Sequence, residues 1–536
     1  MNSVFVVLIV LLVAFISSRR FVRFDLTEDS RYTISNTTKD TLRGLDDVVT
    51  VKVFFSKKLP EDLQELAQIV RDTLDEYKSF SPSGYFDVRY IDPSESDQAR
   101  SEATALGIPE VRMQFVKQDK AEVQNGFLGI GIYYEDKKEA LPFVAQTANF
   151  EYDLTAAIKK VTASTIKTVG FLVGHGERSI FEDPFGDRTK NGEYTEFKRV
   201  LEKTYAVKSV DTSKGEDITG VDTLVVAGPK SSLSARDLYE IDQFIMRGGS
   251  AVWLVEGVDV STTLEAVIAD NNIGPLLKHY GFGLEPVLVK DALNETATFS
   301  QGYSSLIVPY PLWPKLSKQN FLASNPIVSS IDSIVLPWSS PITLLDKDGV
   351  ALAQTTNQAF TIASPFNLDP MERTISGTQE QFTMVAFKNA DLTSFYAGKE
   401  VPPVSAVKDE GAEQESPQNA LQSTEDLSKK VTKSSTDDTV RMLVVGNSIF
   451  ATNSMARQFP ENLNFIQNAI DYITMDSSLI EIRAKTFSQR PLREISDRAK
   501  TPIKFFVIFG IPILIALGGF AKSWMRKKAK NRLLAL

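Results

Sequence analysis

Two apolar segments at opposite ends of the chain most strongly constrain what these 536 residues can form. Residues 4–16 are an unbroken apolar run, and residues 505–521 contain no charged side chain. The second segment carries Gly and Pro residues that membrane helices tolerate, and Trp524 follows it, where interfacial aromatic residues usually lie. We therefore predict two transmembrane helices, over residues 1–20 and 503–522, with all other domains between them.

The first apolar segment is open to three interpretations. Its 13 residues are short for a membrane span and also fit the core of a secretory signal peptide or a buried helix. The residues before it carry no Lys or Arg, however, and no convincing small-residue cleavage motif follows it. With its neighbours the segment reaches about 18 residues, which suits a slightly thinned bilayer. We favour an uncleaved anchor.

The charges beside these segments predict the orientation of the chain. Residues 523–536 form a basic tail, and positive charge directly after a span usually stays in the cytoplasm. Arg19, Arg20 and Arg23 favour the opposite orientation, but long loops cross membranes largely regardless of charge. We predict a protein of the inner (cytoplasmic) membrane that contacts lipid and has most of its chain in the extracytoplasmic or periplasmic space.

Small residues in the second apolar segment indicate where another membrane helix would pack. Gly510, Gly518 and Gly519 allow close helix approach, and packing drives helix association in lipid. We expect a partner subunit to contact this segment.

The composition of the chain is that of a folded protein and excludes several kinds of chemistry. Hydrophobic residues make up 43% of the chain and charged residues 24%, which is typical of globular domains. The net charge of −9 argues against a nucleic-acid partner, because such binding requires neutralised phosphates. Cysteine is absent and His175 and His279 are the only histidines, which excludes disulfides, thiolate chemistry and Cys- or His-rich metal centres.

Between the apolar ends, strand and helix patterns alternate, which predicts an α/β protein with two tandem α/β domains. Apolar runs such as residues 251–255 and 440–445 are typical of strands buried on both faces, so we expect the second domain to contain a doubly wound, mostly parallel sheet. A stretch without aromatic residues is predicted to be a flexible insertion. The predicted segments are a first α/β domain (21–150), the first part of a second α/β domain (151–290), an extension with short strands (291–398), the insertion (399–438) and a return to the second domain (439–490).

Short loops after predicted strands supply the candidate binding or structural turns. Open α/β sheets bind ligands at the carboxyl ends of their strands. The candidate residues are Gly174, His175, Gly176, Glu177, Gly228, Pro229, Gly446, Asn447 and Ser448.

A catalytic role is considered for one of these turns only. His175 and Glu177 could act as a general base and its orienting acid. No G-x-S-x-G motif occurs and cysteine is absent, so no nucleophile accompanies them and we predict no catalytic residue. No phosphate-binding or dinucleotide-binding motif occurs either, and we expect neither cofactor nor metal.

Several of these strings together resemble the gliding-motility-type ABC transporter auxiliary proteins. Residues 23–35, RFDLTEDSRYTIS, are similar to the DLT-x-x-x-x-Y-T-(L/I)-S pattern of that family. The GHGE turn from Gly174 and the apolar C-terminal segment with its basic tail match as well. Further matches are VAGP at 226–229, RGG at 247–249 and LKHYGF at 277–282.

The resemblance implies both a fold and a function. In that family the ATPase and the permease are separate chains, and the auxiliary protein is an extracytoplasmic α/β module anchored beside them. Its second domain resembles those of intraflagellar-transport scaffolds and glutamine-amidotransferase-like folds that lack the catalytic Cys. We therefore expect a non-enzymatic transporter subunit that contacts an ABC permease and, through it, a cytoplasmic ATPase.

Two alternatives and one question of assembly stay open. The chain could be a membrane-anchored hydrolase that uses His175 and Glu177, or a stand-alone extracytoplasmic scaffold or receptor. The sequence also leaves open whether the chain forms a homodimer.

Overall fold

The computed structural model of the chain describes residues 33–117, 120–144, 149–181, 192–214, 217–301, 304–372, 377–403, 432–437 and 439–475, with single positions 147, 482 and 519. The chain divides into two units, Met1–Phe487 and Ser488–Leu536. Gly519 is the described position of the second unit, and every element below belongs to the first. The described residues form a mixed α/β fold with several sheets.

The first described part of the chain forms one sheet, a separate hairpin and the helices that cover them. Its strands are β1 (Val49–Phe55), β2 (Phe86–Ile91), β3 (Val111–Lys117), β4 (Lys120–Gly126), β5 (Leu128–Tyr134) and β6 (Lys137–Leu141). Its helices are α1 (Asn36–Arg43), α2 (Glu61–Phe80), α3 (Asp97–Ala105) and α4 (Phe150–Thr162). In the described residues the sheet has the order β2-β1-β5-β6, while β3 pairs with β4.

Alternating side chains explain how this sheet is covered. Val49, Val51 and Val53 of β1 are buried, and they share one core with the apolar stripe of α2, which includes Val70 and Leu74. The alternation of apolar residues in β1 and their helical spacing in α2 create these buried faces.

The remaining strands include one large sheet and several short ones. They are β7 (Thr168–Val173), β8 (Ala206–Asp211), β9 (Thr223–Ala227), β10 (Ser250–Leu254), β11 (Val258–Val260), β12 (Ala266–Ile268), β13 (Phe282–Leu284), β14 (Leu288–Lys290), β15 (Asn294–Gln301), β16 (Ser304–Ser317), β17 (Ser333–Val335), β18 (Ile342–Leu344), β19 (Gly349–Gln354), β20 (Phe360–Ile362), β21 (Thr383–Ala390) and β22 (Val440–Val445). Over the described ranges the large sheet has the order β19-β21-β22-β10-β9-β7-β8.

Within this sheet, β8, β7, β9, β10 and β22 run parallel, and β21 and β19 add antiparallel strands at one edge. The five parallel strands have the chain order 2-1-3-4-5 of a doubly wound sheet. β22 follows the predicted insertion and pairs with β10, so the chain returns to the sheet it left, as the sequence analysis expected.

Helices cover both faces of the large sheet. They are α5 (Thr195–Leu201), α6 (Ala235–Met246), α7 (Gly274–His279), α8 (Pro326–Ser329), α9 (Asn453–Gln458) and α10 (Pro460–Thr474). Phe171 of β7 lies in a core with Phe465 of α10, while Trp253 of β10 lies in a second core with Ile241 of α6. Burial on both faces is the reason that these strands are almost wholly apolar.

The short strands pair locally instead of extending the large sheet. In the described part of the chain the pairs are β11 with β12, β13 with β18 and β14 with β20, and β16 lies between β15 and β17.

The predicted flexible insertion, residues 399–438, is described at 399–403 and 432–437, and Lys433 within it donates its backbone N–H to Gln243 of α6 over 2.7 Å. Residues 404–431 lie outside the described residues, but Thr393 and Ser435 on either side of them form an antiparallel bridge. Ser394 donates its hydroxyl to Asp242 of α6 over 2.6 Å. The chain therefore leaves and returns at one fixed place on the domain.

The predicted membrane helices lie outside the described residues, as do Gly510 and Gly518, whereas Gly519 is a single exposed helical position. Among the helices that the structure does describe, none is both long and apolar enough to span a bilayer. The proposed boundaries of the eight chain segments stay predictions.

Candidate functional site

The candidate turns gather at the carboxyl ends of the parallel strands, where the chain order changes direction. β7 lies between β8, which follows it along the chain, and β9, which comes next. The crevice beside such a switch point is the usual ligand position in open α/β sheets. Two groups of polar side chains occupy this edge.

The first group holds His175 between two carboxylates. Nδ1 of His175 lies 3.1 Å from Oε1 of Glu177, and Nε2 lies 3.2 Å from Oδ2 of Asp237. The backbone N–H of His175 also donates to Oε2 of Glu177 over 2.7 Å. The side chains of Glu177 and Asp237 are 2% and 4% exposed, so both carboxylates are shielded from water.

Asp237 belongs to this group because it also begins helix α6. Ser234 is the N-cap of α6, and its hydroxyl accepts from the backbone N–H of Asp237 over 3.1 Å. Asp237 in turn accepts from the backbone N–H of Ser234 over 2.9 Å, which completes a capping box. Thr212 donates to the other carboxylate oxygen over 2.6 Å.

These contacts raise the pKa of His175 and lower the pKa of Asp237, so both shifts favour the charged forms. The hydrogen bonds that His175 donates to Asp237 and, second in size, to Glu177 raise the pKa of His175 to about 9, against the lowering effect of burial. Burial raises the pKa of Asp237, but the hydrogen bonds from His175, Ser234 and Thr212 outweigh it and hold that pKa below its ordinary value. His175 is therefore a charged imidazolium at neutral pH, and both of its ring nitrogens are engaged.

Glycine is required on both sides of His175. Gly174 and Gly176 have φ angles of +114° and +76°, which side chains rarely adopt. This turn directs the carbonyl of His175 to accept from the backbone N–H groups of Lys230 and Ser231, over 2.8 and 3.0 Å. The loop after β7 is thereby tied to the loop after β9.

The second group surrounds Ser448, beyond the end of β22. Its hydroxyl donates to Oε1 of Glu256 and accepts from Nε of Arg178 over 3.1 Å. Arg178 also donates to Glu193 over 2.7 Å, and its guanidinium lies 3.9 Å from Glu256. Burial lowers the pKa of Arg178, but the charges of Glu256 and Glu193 outweigh it and raise that pKa overall. Tyr194 donates its hydroxyl to the carbonyl of Ser448.

The other predicted turn residues serve close packing around this group. A Cβ atom on Gly228 would lie 2.4 Å from the hydroxyl of Ser448, and one on Gly446 would lie 1.8 Å from the carbonyl of Ser340. Asn447 donates its side-chain amide to the carbonyl of Pro337 and accepts from the backbone of Phe450. Pro229 is buried beside Gly228. Glycine at these two positions thus lets the loops meet.

Asp237, Arg178 and Glu256 were not among the predicted site residues, because no sequence motif marks them as members of these groups. Ser234 and Asp237 form the S-x-x-D pattern of a helix start, so the pattern indicated the helix but not the partner of His175. His279, the other histidine, bonds to the carbonyl of Thr393 and takes no part in this site.

The geometry limits the chemistry of the site. Neither ring nitrogen of His175 is free to take a proton from a substrate, and the hydroxyl of Ser448 is held by Glu256 and Arg178. Among the described residues, no group of three or more His, Cys, Asp and Glu side chains is arranged to hold a metal ion.

Two family models match the chain. The model described as an ABC-type uncharacterized transport system matches residues 166–472, which contain the large sheet and the polar groups. A model for a domain of unknown function matches residues 28–133.

One curated relative and two solved structures resemble the chain at low sequence identity. An uncharacterized protein of Borreliella burgdorferi is 24% identical over 334 residues, which cover 61% of this chain and 62% of that protein. The chain therefore spans less than two thirds of that relative's length. The mmIFT52 N-terminal domain matches with a TM-score of 0.32 and 14% identity, over 57% of this chain and 97% of that structure. A ThuA-like protein of Bacteroides uniformis matches with a TM-score of 0.24 and 11% identity, over 42% and 78%.

Proposed function

The chain belongs to the ABC-type uncharacterized transport system family, and we propose that it is a non-enzymatic auxiliary subunit of such a transporter. The observation that carries this proposal is the family match over residues 166–472, because it includes the large sheet and its polar edge. The gliding-motility type of auxiliary protein is our more specific proposal, supported by the pattern in residues 23–35.

The polar edge supports a binding role over a catalytic one. A general base needs a ring nitrogen that can accept a proton, and both nitrogens of His175 contact carboxylates. The raised pKa of about 9 also keeps this ring protonated at neutral pH, which is the wrong state for a base. We propose that the two groups fix the loops after the strands, so that the edge is preformed for a substrate or a partner protein.

The apolar chain ends support the rest of the proposal. We propose that residues 1–20 and 503–522 anchor the protein in the inner membrane beside an ABC permease, with a cytoplasmic ATPase bound through that permease. The domains between the anchors then form an extracytoplasmic module. The second apolar segment contains small residues that would let another membrane helix pack closely, which supports it as the segment that contacts the permease.

Copurification tests this assembly. Tagged full-length protein, extracted from its native cells in mild detergent, should bring with it a permease and an ATPase that mass spectrometry identifies. Replacing Gly518 and Gly519 by Leu should reduce the recovered permease while membrane insertion stays intact, because larger side chains prevent close helix approach. Replacing Val507 and Ile508 by Leu is the matched control in the same segment.

Two results would contradict the proposal. Full-length protein recovered without a permease under conditions that preserve other transporters would favour a stand-alone scaffold or receptor. Hydrolysis of ester, amide or glycoside substrates that disappears in His175→Gln, with an unchanged melting temperature, would favour the hydrolase.

A further inference from the structure

A cavity of about 500 Å³ lies between the start of α2 and the β3–β4 hairpin. It is lined by Pro60 and Leu63, by residues 111–114 of β3, and by Leu128 and Phe143. None of these residues belongs to the polar edge of the large sheet, so the cavity is a separate feature of the fold.

The lining places the cavity along an edge of β3. Side chains of a strand point alternately to opposite faces, so four consecutive residues reach one cavity only when it follows the strand edge. In the described chain β3 pairs with β4 alone, and no further backbone hydrogen bond joins residues 111–117 to another described segment. Among the described residues, one edge of β3 therefore has no pairing strand, and the cavity runs beside it.

The register of the hairpin identifies the backbone groups that face this edge. Lys117 pairs with Lys120 across a connection of two residues, and the remaining pairs follow to Val111 opposite Gly126. Hydrogen-bonded and non-hydrogen-bonded pairs alternate along an antiparallel ladder, and a two-residue connection is closed by a hydrogen-bonded pair. The N–H and C=O groups of Arg112 and Gln114 consequently point away from β4, towards the cavity.

Most side chains around the edge are apolar, and Arg112 and Gln114 are the polar ones. Met113 and Leu128 are buried, and Phe143 is 49% exposed although it is a large apolar side chain. Arg112 is the charged residue of the lining, and no described carboxylate forms an ion pair with it. A segment that places a carboxylate near Arg112 and apolar side chains against Met113 and Phe143 would complement these groups.

We propose that this edge binds an extended segment of a partner protein, in which apolar and acidic residues alternate, as an added strand beside β3. Strand addition draws affinity from backbone hydrogen bonds and specificity from the pockets that accept alternate side chains. Four residues of β3 extend over about 13 Å, at about 3.3 Å per residue, which is enough to pair with a short segment. This inference concerns a second surface and does not depend on the transporter assignment.

Fluorescence anisotropy with a defined probe tests the proposal on the full-length chain. The probe is a labelled TVEVTVEV peptide, and its control is the same peptide with every backbone amide methylated, which keeps the side chains but removes the N–H donors of both strand edges. The first peptide should bind and the methylated one should not. Arg112→Glu should weaken binding at least about tenfold, because it replaces attraction by repulsion, and Arg100→Glu on the exposed face of α3 should leave binding unchanged.

Other outcomes would overturn the proposal. They are absence of binding at millimolar peptide, equal binding of the methylated peptide, or insensitivity to Arg112→Glu. Binding of a dansylated fatty acid that the peptide cannot displace would identify the cavity as a lipid site. Concentration-dependent dimers that Gln114→Pro dissociates, without any peptide binding, would identify it as a contact between two copies.

Discussion

Nε2 of His175 lies 3.2 Å from Oδ2 of Asp237, a residue 62 positions further along the chain. The same oxygen accepts from the backbone N–H and the hydroxyl of Ser234. One carboxylate oxygen thus links the charge of an imidazolium after β7 to the first turn of α6. Loss of that charge should therefore affect the helix start as well as the turn.

We expect this link to make stability depend on pH. The pKa of His175 is raised from 6.5 to about 9. The stabilisation is therefore complete below about pH 6.5 and is lost as the pH rises through about 9. Between about pH 6 and pH 10 the free energy of unfolding, measured by chemical denaturation, should fall by about 3 kcal/mol through this group. His175→Gln should be less stable at the acid end and show a flatter profile; parallel profiles would contradict the prediction.

Asp237→Asn should cost more stability than Ser234→Ala. The first change leaves the imidazolium of His175 with one carboxylate partner and weakens the helix cap, so we expect a loss of about 3 kcal/mol. The second removes one cap hydroxyl and should cost about 1 kcal/mol. Urea denaturation of both variants measures the difference, and equal losses would show that the contact with His175 contributes little.

Gly228→Ala should destabilise the protein by about 3 kcal/mol. Its φ angle is +60°, and the new Cβ would meet the hydroxyl of Ser448 at 2.4 Å. Gly248→Ala is a matched control, because its φ angle is +93° but no atom lies within 4 Å of a Cβ there. It should cost about 1 kcal/mol.

The double variant Gly228→Ala/Ser448→Ala distinguishes backbone strain at position 228 from the steric clash with the Ser448 hydroxyl. Ser448→Ala removes the colliding oxygen, so the loss from Gly228→Ala should be smaller in its presence than in the native background. Strictly additive losses in thermal denaturation would show that the Ser448 hydroxyl does not contribute, and would leave backbone strain and the contact with the Ser448 Cβ at 3.1 Å as the causes.

Glu461→Gln should stabilise the protein above neutral pH. Burial and the neighbouring charge of Asp332 raise the pKa of Glu461 to about 7, and among the described atoms its Oε2 has no hydrogen-bond partner. Ionisation of Glu461 therefore lowers the free energy of unfolding. This loss is absent below about pH 4.5 and complete above about pH 7. We expect a gain of about 1 kcal/mol at about pH 8 that vanishes at about pH 4. Glu380→Gln, at an exposed position, is the control and should show no such pH dependence.

Cysteine labelling tests the proposed membrane orientation without background, because the native chain has no cysteine. Ser305→Cys lies at an exposed position of β16 and should react with an impermeant thiol reagent in cells whose outer membrane is permeabilised. Ala535→Cys in the basic tail should react only after lysis. The reverse pattern would place the α/β domains in the cytoplasm.

Buried strands were the most predictable part of the fold. Strand β22 has the bounds of its apolar run at 440–445, and β10 (Ser250–Leu254) overlaps the run at 251–255, because burial on both faces leaves little alternative. Ser234 caps α6, and the S-x-x-D pattern that it forms with Asp237 is visible in the sequence. These features depend on a few neighbouring residues, which a sequence displays directly.

The short strands and the site depended on distant contacts. Strand β16 contains Pro309, Pro311 and Pro314, and such residues normally argue against a strand. The strands that pair with it, β15 and β17, supply the hydrogen bonds that hold it extended. Similarly, the GHGE turn was recognisable, but the partner of His175 lies on a different element, so its charge state followed only from the tertiary structure.

Thr393 and Ser435 form a β-bridge. Because of this bridge, we expect the stability of the domain to depend little on the length of the chain between them. Because both flanks are held together on α6, a segment inserted between them does not have to bring the two flanks together itself. For a flexible insert, the entropic cost of closing the segment grows only with the logarithm of its length, about 0.6 kcal/mol for each doubling. We therefore expect the domain to carry a foreign module at this position, such as an epitope or a fluorescent protein, without a change in the order of its sheet.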